Sequence, residues 1–532
     1  MAAIITDQLR ILNASSFLDK VTDPSNSYYA FVGLPNPFDY SSTWDVNPPS
    51  PKDSFQQEHI SWDNMIALKK IKNEDTKQVI RKIDWISGVT FDRYRNNIDR
   101  DNLSDQTSAT SLYSSNYYVV NSDFRVYICL ENGEDPENPN GKPSLDEPRF
   151  TDLEPRSAGN SGDGYIWKYL YTISASDVIK FDSTQYIPVP RDWKNNIDVS
   201  LIRENASEGG QLKTVIIKNR GVDVGESNKV YSNIPINGDG TGGTVTIVIN
   251  NDQKVESVTV SNGGSGYTFG TVDIDSVSLN YTTIPEFEVV IPPKGGHGAD
   301  IYRELGATNV LIYSRIENDD QDPDFIVGNE IAQIGIVVNP LAFNSNEVLT
   351  KDKASAVGAI KLDPTSIDDA VYDADTYITQ TVGSGQTAIA RVISFDRVTG
   401  IIKYWKDRTN YGFDFSGNSA STIFGFSDID FTSDPGTGGT LNIRNYVSTD
   451  AIIAGDTSGS VAPIDSSFGT SIEPGISTSI NNRTYYLGQP FVKGLSNPEV
   501  QKYSGDIIYV DNRPPITRSK NQKEDIKVIL QF

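Results

Sequence analysis

The stretch "GDGYIWKYLYTI", residues 162–173, decides how the chain is read. At the period of an extended strand, Tyr165, Trp167, Tyr169, Tyr171 and Ile173 fall on one face. Gly162 and Gly164 read as turn residues that set the register of that aromatic strand. The glycines precede a strand, whereas a phosphate-binding glycine run follows a strand and opens a helix.

The same texture extends in both directions. "SYYAFVGL" (27–34), "YYVVNSDFRVYICLENG" (117–133), "LGATNVLIYSRIE" (305–317) and "IAQIGIVVNPLA" (331–342) all read as strands. "AIARVISFDRVTGIIKYWKD" (388–407) predicts a hairpin around an Asp-Arg-Val-Thr-Gly turn. Helical spacing is confined to the first hundred residues. Leu9, Leu12, Phe17 and Val21 predict a helix over 6–21 capped by Thr6, and a second, short helix is expected around Trp62 to Lys70. With 26 Tyr, 21 Phe and 42 Gly in 532 residues, the composition favours short strands joined by turns, so the fold class is mainly β with a few short helices.

Near residue 205 the pattern becomes Gly-rich. "LKTVIIKNRGVDV" (212–224) is similar to "VESVTVSNGGSGYTF" (255–269), a weak β repeat of about 40 residues with too few copies for a solenoid. A second segment rich in Gly, Ser, Thr and Asp runs from 346 to 497.

Lys and Arg total 46 against 70 Asp and Glu, a net charge of −24. Such a surface repels nucleic acid and anionic membrane, so neither is an expected partner. No apolar run approaches the ~20 residues of a membrane span, and the start has no basic and apolar leader pattern. A soluble protein made in a cytoplasm is expected. Cys129, the single cysteine, lies in a strand pattern and reads as a small buried hydrophobe.

Catalytic patterns are weak. His59 and His297 are the two histidines, far apart and without metal-pair spacing. "GGSGYTFG" is the nearest approach to a nucleophile elbow, but its Ser265 follows a repeat-type strand with no helix after it, and a β-turn is the stronger reading. The acidic runs "IENDDQDPD" (316–324), "DDAVYDAD" (368–375) and "DIDFTSDPGTGG" (428–439) read as solvated loops. The last has Gly439 where a calcium loop needs its bidentate glutamate, leaving incidental calcium binding at most. Seventy carboxylates always include pairs at glycosidase spacing, so they specify nothing. No cofactor, metal or catalytic residue is expected, and weight moves from enzyme to structural or binding protein.

Two stretches resemble a known family. Gly162, Asp163, Gly164, Tyr165 and Trp167, followed by "QYIPVP", are similar to the mid-chain strand of the baseplate wedge protein (the gene-eight product) of T-even-type contractile-tailed phages. The closing segment "SGDIIYVDNRPPI…EDIKVILQF", with Tyr509, Asn512, Arg513, Pro514, Pro515 and a final Phe532, resembles that family's C-terminus. The likeness covers 1–204, 300–345 and 498–532. It implies a multi-layer β-sandwich body built from those segments; 205–299 and 346–497 depart from the family pattern and read as two inserted β-rich modules. It further implies a homodimer without enzymatic activity, bound to the neighbouring wedge proteins (gene-six, gene-seven and gene-ten type products). Its place would be the virion tail baseplate, assembled in the host cytoplasm, coupling host recognition to sheath contraction. Two other readings stand beside it: a receptor- or glycan-binding tail protein using the Gly-rich inserts, and a tail-associated hydrolase.

The closing segment carries a structural expectation. Ile526, Val528, Leu530 and Phe532 share one face of a strand, which predicts a buried Phe532. Asn512 to Ile516 are expected to form a rigid exit from the strand before it.

Overall fold

The computed structural model describes residues 5–34, 46–277, 279–317, 330–363, 377–382, 386–396, 399–406, 430–433, 440–444, 462–469, 477–480, 483–486, 490–517 and 522–532. The fold is mainly β, with several sheets and few short helices. Two compact units share the chain. One comprises Met1–Leu18, Thr76–Ile312 and Val528–Phe532, and the other Asp19–Asp75 and Tyr313–Lys527. The segment 1–204 therefore contributes to both. Most of the acidic runs at 316–324, 368–375 and 428–439 lie outside the described residues.

In the first unit, Tyr118–Val120, Arg125–Asn132 and Tyr165–Thr172 form an antiparallel three-stranded sheet. Both faces are buried. Val126, Ile128, Leu130 and Leu170 pack on one side with Trp193 and Ile301, and Tyr127, Cys129, Tyr165 and Trp167 on the other with Phe91. The expected five-residue aromatic face is divided between them. Tyr127 pairs with Tyr169 and Val126 with Tyr171, so Leu170 is an extra residue in the ladder. A bulge resets the alternation beyond it, leaving Tyr165, Trp167 and Tyr169 on one face and turning Tyr171 to the other.

Residues 212–291 have a core of their own, with Leu212, Val224, Ile234, Val245, Ile247, Val255 and Tyr267 among its members. Its four-stranded sheet runs Val255–Ser265, Thr241–Ile249, Val230–Gly238, Gly270–Val272, and Val215–Asn219 pairs separately with Glu286–Val289. The two repeat copies thus lie in different sheets: the first pairs with Glu286–Val289, far along the chain, and the second with the strand that precedes it, Thr241–Ile249.

In the second unit, a five-stranded sheet has the order Lys353–Ser355, Met65–Ile71, Tyr28–Gly33, Glu330–Val338, Asp506–Thr517. Every residue of Tyr28–Gly33 is buried. Tyr29 and Phe31 pack with Trp62, Leu68 and Val337, and Val32 packs with Ile66, Ala67 and Ile316 on the opposite side. The sheet draws Lys353–Ser355 into its edge, and Leu349, Ala354 and Ala356 join its core, so this packing extends past residue 345. The expected helix around Trp62 to Lys70 is displaced. The helix is Phe55–Asn64, with the Ser54 hydroxyl accepting the Gln57 N–H at 3.2 Å, and Met65–Ile71 is a strand. A short continuous apolar run fits a buried strand or a buried helix equally well from periodicity alone; pairing on both edges decides it here.

A seven-stranded sheet holds the hairpin Gln386–Asp396 and Ile401–Trp405, flanked by Tyr377–Val382 and Gly358–Lys361. Ile360, Ile378, Ala388, Val392 and Ile402 form its core.

Candidate functional site

The residues of the mid-chain motif come together as a buried knot. Asp163, only 6% exposed, accepts the backbone N–H groups of Leu145 (2.9 Å) and Tyr165 (3.0 Å). Both carboxylate oxygens are therefore engaged in holding a loop to the start of the strand. Gly164 sits at φ +85°, and a Cβ there would lie 2.7 Å from the Gly133 Cα, so two backbones cross in contact. Gly162 has φ +71° with open space around it; only conformation requires glycine there. The Tyr165 hydroxyl donates to the Lys142 carbonyl (2.7 Å) and accepts the Phe91 N–H (2.9 Å). Its ring stacks on Trp167, with centroids 5.2 Å apart and planes at 17°. Burial raises the Tyr165 phenol pKa far above its usual range, so it serves as a neutral two-sided hydrogen-bonding group.

The C-terminal motif lies in the second unit. Asn512 to Ile516 are not an exit turn but part of the continuous strand Asp506–Thr517. Gln333 pairs with Asn512 and Ile331 with Ile516, so Arg513, Pro514 and Pro515 lie opposite a single residue, Ala332. Proline offers no N–H to a ladder, and strands carry it at an edge or a bulge. Both conditions hold for this edge strand. The Asn512 side chain donates to the Pro49 carbonyl (3.0 Å) and accepts from Gln333 (2.9 Å). Arg513 pairs with Asp511 at 2.7 Å on the surface. Tyr509 is partly buried, and desolvation raises its phenol pKa.

Phe532, in the first unit, is half-buried rather than enclosed. Val528 is the one residue of Lys523–Gln531 that is fully buried. The final strand presents its apolar side chains at a rim, where alternation in sequence gives the face but not the depth.

Sequence reading missed a buried ionic cluster. Arg93, in "FDRYRNN", is 1% exposed and bridges two carboxylates, Glu134 at 2.5 Å and Glu288 at 2.8 Å. Lys218 reaches the other oxygen of Glu134 at 2.5 Å. Burial works against the Arg93 charge, but Glu134 and Glu288 more than offset it and raise its pKa. Nearby, desolvation pushes the Glu131 carboxyl up to about 7 against the pull of Arg93. The members come from residues 93, 131–134, 218 and 288, a separation no local motif reveals. Lys168 is likewise buried, donating to the Leu153 carbonyl (2.7 Å) and to Asn205 (2.9 Å), and desolvation lowers its pKa to about 8.

The histidines stay apart in role. His297 is buried, its Nδ1 2.7 Å from Glu304 Oε1, and its ring stands edge-on to Tyr94. Glu304 also accepts the Gly298 N–H at 2.6 Å, so the pair staples the turn before the helix Ile301–Leu305. His59 is exposed and edge-on to Tyr503. Ser265 lies in the strand Val255–Ser265. Among the described residues no group of three or more His, Cys, Asp or Glu could hold a metal ion, and no helix is long and apolar enough to cross a membrane.

No family model matches the sequence, and no curated protein matches it.

Proposed function

We propose that this chain is a structural subunit of the baseplate wedge of a contractile phage tail, acting through protein–protein interfaces as a dimeric spacer. The observation that carries the reading is the use made of the motif residues. Asp163, Gly164, Tyr165 and Trp167 tie a loop to a buried strand, and Asn512 to Pro515 shape the edge of a sheet. The resemblance is therefore carried by residues whose work is architectural, as a load-transmitting part requires. Tight cores on both faces of the Tyr28–Gly33 sheet suit the same role. In this reading the subunit binds gene-six, gene-seven and gene-ten type wedge proteins, and rigid coupling rather than catalysis transmits host engagement toward sheath contraction.

The test has two parts. Sedimentation of the full chain should give a stable dimer at micromolar concentration, with an interface larger than about 2,000 Å² as permanent assemblies have. Cryo-EM of the intact tail should place the chain in the baseplate. A stable monomer, or density elsewhere in the virion, overturns the proposal.

A further inference from the structure

We infer that Lys168 and Asn205 are the site of a self-formed isopeptide bond, a covalent staple that does not depend on the structural role proposed above. Both residues are buried, at 1% and 4% exposure. Lys168 lies in the strand Tyr165–Thr172 and Asn205 ends the helix Ser200–Asn205. Leu170 on that strand and Ile202 on that helix belong to one apolar core, so the two side chains are presented by elements packed against each other.

The amide of Asn205 has a fixed orientation. Its Nδ2 donates to Glu154 Oε1 and to Glu208 Oε2, each at 2.8 Å. Its Oδ1 therefore faces Lys168 Nζ, 2.9 Å away. A carbonyl bond is about 1.2 Å long, which puts the Asn205 Cγ within about 4 Å of that nitrogen. Reacting atoms held for attack stand ~3–3.5 Å apart, so a small tilt of the amide completes the approach.

The charges suit the same step. Burial lowers the Lys168 pKa to about 8, which leaves roughly a tenth of the amine neutral and nucleophilic at pH 7. Burial works against the Glu154 charge, but Asn205 and Lys213 more than offset it and lower its pKa. An ionised carboxylate thus stands at the leaving nitrogen. The Lys168 lone pair forms a bond to Cγ, and the carbonyl electrons move onto Oδ1. Glu154 takes a proton from the attacking nitrogen and delivers it to Nδ2. The electrons on Oδ1 then return, the Cγ–Nδ2 bond breaks and ammonia leaves. In sum, one lysine ammonium and one amide become one secondary amide and one ammonium ion, with no oxidant or co-reactant. The Glu154 side chain is 56% exposed and gives the ammonia a path to water. The product ties the strand to a helix residue 37 positions later, and such a cross-link restricts the unfolded chain.

Intact mass spectrometry of the purified full chain, incubated folded at alkaline pH, tests this. The mass should fall below that of the sequence by one ammonia, about 17 Da. Trypsin should release a branched peptide joining residues 157–180 to 204–213, with no cleavage after Lys168. Lys168→Met should keep its full sequence mass. Glu154→Gln combined with Glu208→Gln keeps acceptors for the amide but cannot carry the proton, and should slow bond formation at least about tenfold. Circular dichroism establishes that each variant is folded. Full sequence mass in the incubated parent protein overturns the inference, as does a mass loss that persists in folded Lys168→Met. An unchanged rate in the folded glutamine variant overturns the part given to the carboxylates. None of these outcomes bears on dimerisation or on location in the tail.

Discussion

The rings of Phe17 and Phe532 meet with centroids 5.8 Å apart and planes inclined at 45°. The last residue of the chain is thereby held to the first helix, Asp7–Thr22, and its backbone N–H also points at the Thr308 carbonyl, 3.4 Å away. Because Phe532 keeps part of its ring in solvent, truncation removes only part of a full aromatic burial. Phe532→Ala should cost about 1–2 kcal/mol, below the ~3–5 kcal/mol of an enclosed phenylalanine. Phe17→Ala should cost a similar amount. The double variant should fall short of additivity by about 0.5–1.5 kcal/mol, the usual coupling of an aromatic pair. Urea denaturation of the four proteins checks this; strict additivity would show the contact to be idle.

Gly162 and Gly164 separate two reasons for glycine. Both have positive φ, but an added Cβ meets nothing at Gly162 and meets the Gly133 backbone at Gly164. Gly162→Ala should cost about 1–2 kcal/mol from backbone conformation alone. Gly164→Ala adds a clash between main chains that no rotamer relieves, and should cost about 3 kcal/mol or more. Equal melting temperatures for the two variants would contradict the crossing of backbones.

Much of the β architecture was legible because alternation and turn residues report directly on extended structure. The strands at 28–33, 309–317 and 330–338 and the hairpin at 386–405 lie where those patterns point. What escaped was set by partners distant in sequence. The extra residue Leu170 is invisible until Arg125–Asn132 is laid beside its strand, and it sends Tyr171 to the far face. Pro514 and Pro515 read as a stop signal, yet an edge position lets the strand continue through them. Arg93 finds Glu134 and Glu288 across 41 and 195 residues. The motif at 162–167 could be recognised but not explained in advance, since the need for Gly164 comes from Gly133.

Glu131 gives a pH dependence of definite sign. Its folded pKa, about 7, is raised from an ordinary value of 4.5 by desolvation. Between these values the folded state holds a proton that the unfolded state has lost. Stability contributed by the neutral carboxyl is therefore fully present below about pH 4.5 and is lost as pH rises through 7. Glu131→Gln should flatten the decline between pH 5 and 8 and raise the melting temperature at pH 8, with little change at pH 4.5. A variant whose stability profile stays parallel to that of the parent protein would exclude this role.

The strand Asp506–Thr517 closes one side of its sheet with the bulged Arg513-Pro514-Pro515 run. Unpaired strand edges invite addition of strands from other molecules, and proline and bulges oppose it. Replacing Pro514 and Pro515 together by Thr and Val should restore regular N–H donors at that edge. Light scattering at constant concentration should then show slow self-association absent from the parent protein. If scattering stays flat, protection of this edge resides elsewhere.

Two arginine pairs of this chain should differ sharply in worth. Arg93 is enclosed between Glu134 and Glu288, whereas Arg513 and Asp511 meet on the surface with more than half of the arginine side chain exposed. Removing one partner of a buried ion pair strands its counter-charges in a medium that solvates them poorly, at about 3–5 kcal/mol. Arg93→Ala should therefore approach the stability of a whole small domain and unfold much of its unit at 37 °C. Arg93→Met with Glu134→Gln and Glu288→Gln removes the charges together and should recover a large part of the loss, because Lys218 reaches water and can keep its charge. Arg513→Ala should change stability by less than about 1 kcal/mol, since exposed pairs are screened and hold two flexible side chains at entropic cost. Guanidinium denaturation of the full chain distinguishes these outcomes: equal midpoints for Arg93→Ala and Arg513→Ala would mean that the buried cluster carries no special weight.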